Sequence, residues 1–214
     1  MSEVYYAQNP TSAHHLQSFS VEIFGNRLTF STDSGVFSRD GLDAGTRILL
    51  NSLESVSGRF LDLACGWGPV GIAVAKKYPA AQVVMTDINH RATDLARQNA
   101  RTNGVSPEIV SGDGFEAVSG LFNAIAVNPP IRAGKQVIYD LFLHSREHLL
   151  PGGRLYVVIR KQQGAPSALK YLQTLFREAN VVERSGGYWV IRSVQDDALP
   201  VDKRSGDNLS QESS

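Results

Sequence analysis

The residues Phe60–Leu63 run directly into Asp62-Leu63-Ala64-Cys65-Gly66-Trp67-Gly68-Pro69-Val70-Gly71, a G-x-G-x-x-G spacing at the mouth of a helical segment. Glycines there let a ligand approach backbone that side chains would otherwise cover. Asp87 stands 21 positions after Gly66, at the end of the next apolar run, where a carboxylate can accept from two ribose hydroxyls. Glycines plus acid suit any adenosine cofactor, a nicotinamide dinucleotide included. Asp62 begins to separate these, because a carboxylate before the glycines repels a pyrophosphate and attracts the ammonium of a methionine moiety. It can hold loop amides at the same time. A third acid, Asp113 in Ser111-Gly112-Asp113-Gly114, follows the third apolar run and could accept from an adenine amine. Alone it reads as a turn residue; beside two other acids at run ends, the ligand role gains weight.

Asn128-Pro129-Pro130-Ile131 follows the fourth run. Two successive prolines fix backbone dihedrals and remove two N–H donors, so the Asn128 side-chain oxygen and the Pro129 carbonyl become rigid acceptors. Such a pair can grip both N–H bonds of a conjugated NH2 and aim its lone pair at an electrophilic methyl group. Transfer from a sulfonium neutralises charge, so position matters more than a strong base. A strand-ending Pro-Pro turn is the plainer reading, and the company of three acids and a glycine loop weighs against it.

The elements that must position these residues alternate. Apolar runs predict strands at Phe60-Leu63, Gln82-Thr86, Glu108-Val110, Ala124-Val127 and Leu155-Ile159. Amphipathic segments predict helices near Val70-Lys77, Arg91-Asn103, Lys135-Leu149 and Ser167-Glu178. Pro69 suits a first helical turn, and Gly104 and Pro151-Gly152-Gly153 supply stops. Val181-Glu183 and Tyr188-Val194 about Gly186-Gly187 predict a closing hairpin antiparallel to what precedes it. Before the glycine loop, Phe19–Phe30 predicts a hairpin with Gly25-Asn26 at its turn. Thr32–Gly45 predicts a loop lying over something, and Thr46–Leu53 a helix. The expected organisation is an N-terminal extension over 1–57, a cofactor-binding α/β domain over 58–195, and a disordered polar tail over 196–214.

Composition narrows the class. The 214 residues suffice for one large domain. Net charge is zero, so no global positive field draws a nucleic acid. The tail holds five acids against two bases, and the remainder, with nineteen bases and sixteen acids, is mildly basic. Cys65 is the single cysteine, no secretory leader pattern opens the chain, and no apolar run is long enough for a bilayer. The expectation is a cytoplasmic protein with no membrane partner. His14-His15 has no third residue at metal-site spacing, so no metal is expected.

DLACGWGPVG, TDIN, SGDG and NPPI stand in the order and spacing of class I S-adenosylmethionine-dependent methyltransferases, which the chain resembles over roughly Arg59 to Val194. TDSGVFSRDGLDAGTR and NPPIRAGK are similar, more narrowly, to the small-subunit ribosomal RNA guanine-N2 methyltransferases. The resemblance implies a Rossmann-like α/β fold with seven strands, mostly parallel, the last antiparallel. It implies S-adenosylmethionine held by Asp62, Ala64, Gly66, Gly68, Asp87, Ile88, Asp113 and Asn128, with the methionine part over Asp62 and Gly66, the ribose on Asp87 and the adenine near Ile88 and Asp113. Asn128, Pro129, Pro130 and Ile131 would form the catalytic segment. Ile131 departs from the aromatic residue that many amine methyltransferases place after Asn-Pro-Pro, so base stacking must come from elsewhere. Longer family members also carry a second methyltransferase-like domain, for which this chain has no room.

The function expected is methyl transfer to guanine N2 in ribosomal RNA or the small ribosomal subunit, with the base turned out of its stack. Arg39, Arg132, Lys135, Arg160 and Lys161 would hold phosphates. A small-molecule or protein-glutamine amide methyltransferase is the alternative, favoured by the zero net charge. A NAD(P)-binding oxidoreductase or a non-catalytic nucleotide-binding module leaves Asn128-Pro129-Pro130 unexplained.

Overall fold

The computed structural model describes residues 8–197. Strands β1 (Gln17–Ile23) and β2 (Asn26–Thr32) form an antiparallel hairpin. Its inner positions alternate, with Leu28, Phe30 and Thr32 buried. Ile23 pairs with Asn26, so the turn residues are Phe24 and Gly25, both at positive φ (54° and 74°). The expected Gly25-Asn26 turn is displaced by one residue, because the twist of a two-residue hairpin wants positive φ at both central positions and Phe24 adopts it. Helix α1 (Ala44–Ser52) follows the loop, capped by Asp43.

From there strands and helices alternate: β3 (Arg59–Leu63), α2 (Pro69–Lys77), β4 (Gln82–Asp87), α3 (His90–Thr102), β5 (Glu108–Ser111), β6 (Phe122–Val127), α4 (Lys135–Glu147), β7 (Leu149–Arg160), α5 (Ala165–Leu175), β8 (Glu178–Ser185) and β9 (Tyr188–Val194). They build one seven-stranded sheet in the order β5-β4-β3-β6-β7-β9-β8. Pairs among β3 to β7 are parallel, and β9 is antiparallel to both its neighbours. Of the closing hairpin, therefore, only β9 reverses; β8 runs with β7. Successive strand residues face opposite sides, which gives two cores. Phe60, Ala124, Ala126, Tyr156 and Val190 face the hairpin, α1, α2 and α3, whereas Leu61, Ile125, Val127, Val157 and Ile191 face α4 and α5. The N-terminal extension thus covers one face of the sheet.

Several boundaries differ from the sequence expectation, most of all at β7 and α5. β7 opens at Leu149, and Pro151-Gly152-Gly153 is an irregularity within it: pairing with β6 jumps from Phe122↔Leu149 to Ala124↔Arg154. Gly152 N donates to Asp196 O and Gln195 N to Gly153 O, so this segment is bonded by the chain that leaves β9. Asp196 and Asp197, assigned to the tail by composition, are instead ion-paired with Arg146 and Arg177. Residues 198–214 lie outside the described residues. The helix expected to reach Glu178 stops at Leu175, since buried Phe176 turns extended and Glu178 already pairs in β8. No helix among the described residues is long and apolar enough to cross a membrane.

Candidate active site

The carboxyl ends of β3, β4, β5 and β6 open into one cavity of about 260 Å³. It lies where the strand order reverses, between β3 and β6, the switch point at which open α/β sheets bind ligands. Ala64 and Gly66 line it from the β3 loop, Thr86, Asp87 and Ile88 from the end of β4, Gly112 to Gly114 from the end of β5, and Asn128 to Pro130 from the end of β6. A smaller chamber of about 30 Å³ adjoins it, sharing Phe37, Ala64, Gly66 and Asn128 and adding Asp43, Thr46 and Asp62.

The loop after β3 is built by local constraint. Ala64 and Gly66 sit at positive φ (57° and 56°), and a Cβ on Gly66 would meet nothing within 4 Å, so backbone faces open space. Asp87 accepts from Gly66 N at 2.8 Å and from Asn89 N at 2.9 Å, which ties the glycine loop to the start of α3. Burial raises its carboxyl above the usual range, against those two bonds. Asp62 is fully enclosed and accepts from Gly71 N, in the first turn of α2, at 2.8 Å. Burial pushes it up to about 7; the Gly71 bond lowers it and the Asp87 charge raises it.

Asn128 Nδ2 donates to Thr46 Oγ1 at 3.1 Å, and Thr46 Oγ1 donates to Asp43. Here the loop between β2 and α1 reaches the site. It is pinned there by Trp67, whose Nε1 donates to Phe37 O at 3.0 Å and whose ring packs edge-on against Phe19 and Phe30. Asn89 Nδ2 adds a bond to Gly35 O at 2.9 Å. Arg91, close to Asp33, donates to Ser34 O and to the backbone of Pro10 and Ser12. His14 bonds Asp33.

Three predicted residues lie elsewhere. Gly68 lines neither chamber; at φ 91° it starts α2, and a Cβ there would meet Met85 Cε at 2.7 Å, so it serves packing. Asp62 borders only the smaller chamber. Ile131 is turned out of the cavity by the short 3-10 turn Ile131–Ala133, into a separate groove between α4 and α5 with Lys135 and Gln163. The predicted cations ring the same end of the sheet on exposed positions. Arg132 and Lys135 follow β6, Arg160 and Lys161 end β7, and Arg39 lies in the loop beside Phe37. Arg39 pairs with Asp40, Arg160 stacks at 4.7 Å on Tyr188, and Lys135 lies 5.1 Å over Tyr139. Sequence reasoning missed Phe37 and Asp43, from the glycine-punctuated loop segment, and Thr46, from the first turn of α1. The loop's only signal was an apolar residue and a helix cap among breakers.

The wall suits an adenosine cofactor with a cationic methionine end. Thr86 Oγ1 is buried in it with no hydrogen-bond partner among the described residues. Asp87 and Asp113 offer acceptors, open backbone lies at Gly66, and Asp62 offers negative charge beyond the glycines. A seven-stranded, mostly parallel sheet with its last strand reversed is the class I S-adenosylmethionine-dependent methyltransferase fold. The chain belongs to the methyltransferase small domain family, whose model matches residues 27–192. It is 41% identical over 198 residues to Bacillus subtilis (strain 168) YbxB, covering 90% of this chain and 98% of that one. It is 34% identical over 184 residues to ribosomal RNA small subunit methyltransferase C of Salmonella choleraesuis (strain SC-B67), covering 84% of this chain but only 53% of that protein. Among solved structures, the T. thermophilus 16S rRNA N2 methyltransferase RsmC, in complex with AdoMet and guanosine, superposes with a TM-score of 0.77. The identity is 24%, over 84% of this chain and 50% of that one. The chain thus spans about half the length of these named methyltransferases.

Proposed function

We propose that the protein transfers a methyl group from S-adenosylmethionine to the exocyclic N2 amine of a guanine in ribosomal RNA. The observation that carries this reading is that Asn128, Pro129 and Pro130 stand in the same cavity wall as Asp87 and Asp113. The bound cofactor supplies an electrophilic methyl group on a sulfonium. Asp87 would hold its ribose, Ile88 and Asp113 its adenine, and Asp62, Ala64 and Gly66 its methionine part. The prolines remove two backbone donors beside Asn128, so an NH2 entering there finds the Asn128 side-chain oxygen and the Pro129 carbonyl as acceptors. A paired guanine cannot present N2 there, so the base must leave its stack. Phe37 takes the stacking role that Ile131 does not fill, since it lines both chambers beside Asn128. The ribosomal RNA methyltransferases among the relatives support the choice of substrate, as do the cations around the rim.

The rival is an amide of a protein or small molecule, favoured by the zero net charge. Labelled S-adenosylmethionine, offered with small ribosomal subunits, naked ribosomal RNA and a protein extract from a deletion strain, decides between them. Label in RNA that digests to N2-methylguanosine is expected, and label only in protein would transfer the assignment to the rival. In the same assay Asn128→Ala should lower turnover about tenfold or more while binding S-adenosylhomocysteine as before, because the lost acceptor grips the amine. Wild-type turnover in that variant would make the Asn-Pro-Pro segment merely structural.

A further inference from the structure

An asparagine amide has a donor end and an acceptor end, and an amine substrate can use only the acceptor. Asn128 Nδ2 stands 3.1 Å from Thr46 Oγ1, which is itself bonded to Asp43 Oδ2. A carboxylate only accepts, so the single hydroxyl proton of Thr46 is committed to Asp43 and its oxygen is left to accept from Asn128. The direction of the chain is fixed by this: Asn128 donates, Thr46 relays and Asp43 accepts. The Asn128 carbonyl oxygen is then turned away from Thr46.

We infer that Asp43 and Thr46 are positioning residues that lock the Asn128 amide with its oxygen toward the substrate, committing the site to an N–H donor such as a conjugated primary amine. This rests on the amine-methylation reading above. The lock is itself held. Asp43 caps α1, its other oxygen accepting from Thr46 N at 3.1 Å, and Thr46 is 3% exposed. Gly45 between them brings the first turn of α1 hard against Tyr188, since a Cβ there would meet the ring at 2.8 Å. The segment between β2 and α1 therefore supplies part of the reactive wall as well as a cover for it.

Two substitutions separate a relay from packing. Thr46→Val keeps the shape and removes the hydroxyl; Thr46→Ser keeps the hydroxyl and removes the methyl group. A packing role predicts that valine is tolerated better, and the relay predicts the reverse order. Thr46→Val should lower kcat about tenfold or more, with S-adenosylhomocysteine affinity within about twofold of wild type, and Thr46→Ser should retain most of the rate. An independent readout is the Asn128 side-chain NH2 pair in a nitrogen-15 spectrum, assigned by its loss in Asn128→Asp. Its exchange with water should be slow in wild type and Thr46→Ser and fast in Thr46→Val. Equal exchange in all three proteins overturns the lock, as does a valine variant that turns over like wild type. Absence of wild-type methylation on any amine would strike the functional reading alone, because the exchange measurement still decides the lock.

Discussion

Asp62 is where burial and charge pull hardest against each other. Desolvation pushes its carboxyl up to about 7, opposed by the Gly71 bond and assisted by Asp87, whereas an unfolded aspartate titrates near 3.9. Folding therefore takes up a proton between about pH 4 and pH 7. The stability this contributes to the cofactor-free protein is fully present below about pH 4 and lost as pH rises through about 7. A methionine ammonium beside Asp62 favours the ionised form and reverses the preference. Calorimetry of S-adenosylmethionine binding at pH 6.5, in buffers of different ionisation enthalpy, should then show a proton released by wild type and none by Asp62→Asn. Heat independent of the buffer in wild type would put the ammonium elsewhere. Asp62, Asp87 and Asn128 could be singled out in the sequence because each stands at or near the end of an apolar run, Asp62 before the glycine loop, Asp87 21 positions after Gly66 and Asn128 before two prolines. Adjacency to a motif misled at Gly68 and Ile131, where the chain turns away from the cavity within one or two residues. Phe37 and Thr46 carried no catalytic signature, since Phe37 is placed by Trp67 and Thr46 meets Asn128, both far along the chain.

Between elements, the least foreseeable contact is the one that seats the hairpin. Strand β2 has β1 on one edge only, and its other edge is met by two asparagines one turn apart on α3. Asn99 accepts from Ser31 N at 2.7 Å and donates to Ser31 O and Trp67 O at 2.9 Å. Asn103 accepts from Thr29 N at 2.9 Å and donates to Thr29 O at 2.8 Å. Helical i, i+4 spacing matches the two-residue period of the strand, so side-chain amides continue the ladder that a third strand would have made. Asn99→Ala strands buried partners and should lower the unfolding free energy by about 1–3 kcal/mol. Because Trp67 O is one of them, it should also weaken S-adenosylhomocysteine binding. An unchanged urea midpoint would show that the edge finds water instead. Apolar runs announced β3, β4 and β6 because buried parallel strands are apolar on both faces. The same logic truncated β7, whose first residues include Pro151-Gly152-Gly153, where Gly152 N donates to Asp196 O and Gly153 O accepts from Gln195 N.

Across the whole molecule, zero net charge means that any hold on RNA is local, and the fold gathers candidate cations at one end. Arg132, Lys135, Arg160 and Lys161 come from the ends of β6 and β7, with Arg39 in the loop beside Phe37. Arg132 and Lys135 also bracket the N-terminus of α4, where positive charge opposes the helix dipole and costs a few tenths of a kcal/mol, roughly 0.3 to 1 each. An anionic substrate supplies a reason to keep them there. Neither residue lines the cofactor cavity, so Arg132→Glu with Lys135→Glu should weaken RNA binding and leave S-adenosylhomocysteine affinity unchanged. If three to five phosphates are contacted, log affinity should fall against log salt with a slope of about −2 to −4, on a single-strand value of about −0.7 per phosphate. The double variant should lose about two phosphates' worth, flattening the slope by about 1.4. Measuring both proteins by fluorescence anisotropy between about 50 and 200 mM salt, the range over which such contacts change affinity most visibly, gives slope and affinity together. Parallel slopes in the two proteins would mean that phosphate contacts lie away from this rim. Salt-independent binding in wild type would move the substrate from RNA to the neutral amide of the rival reading, in which Asn128 keeps its place and the cations are a solvated edge.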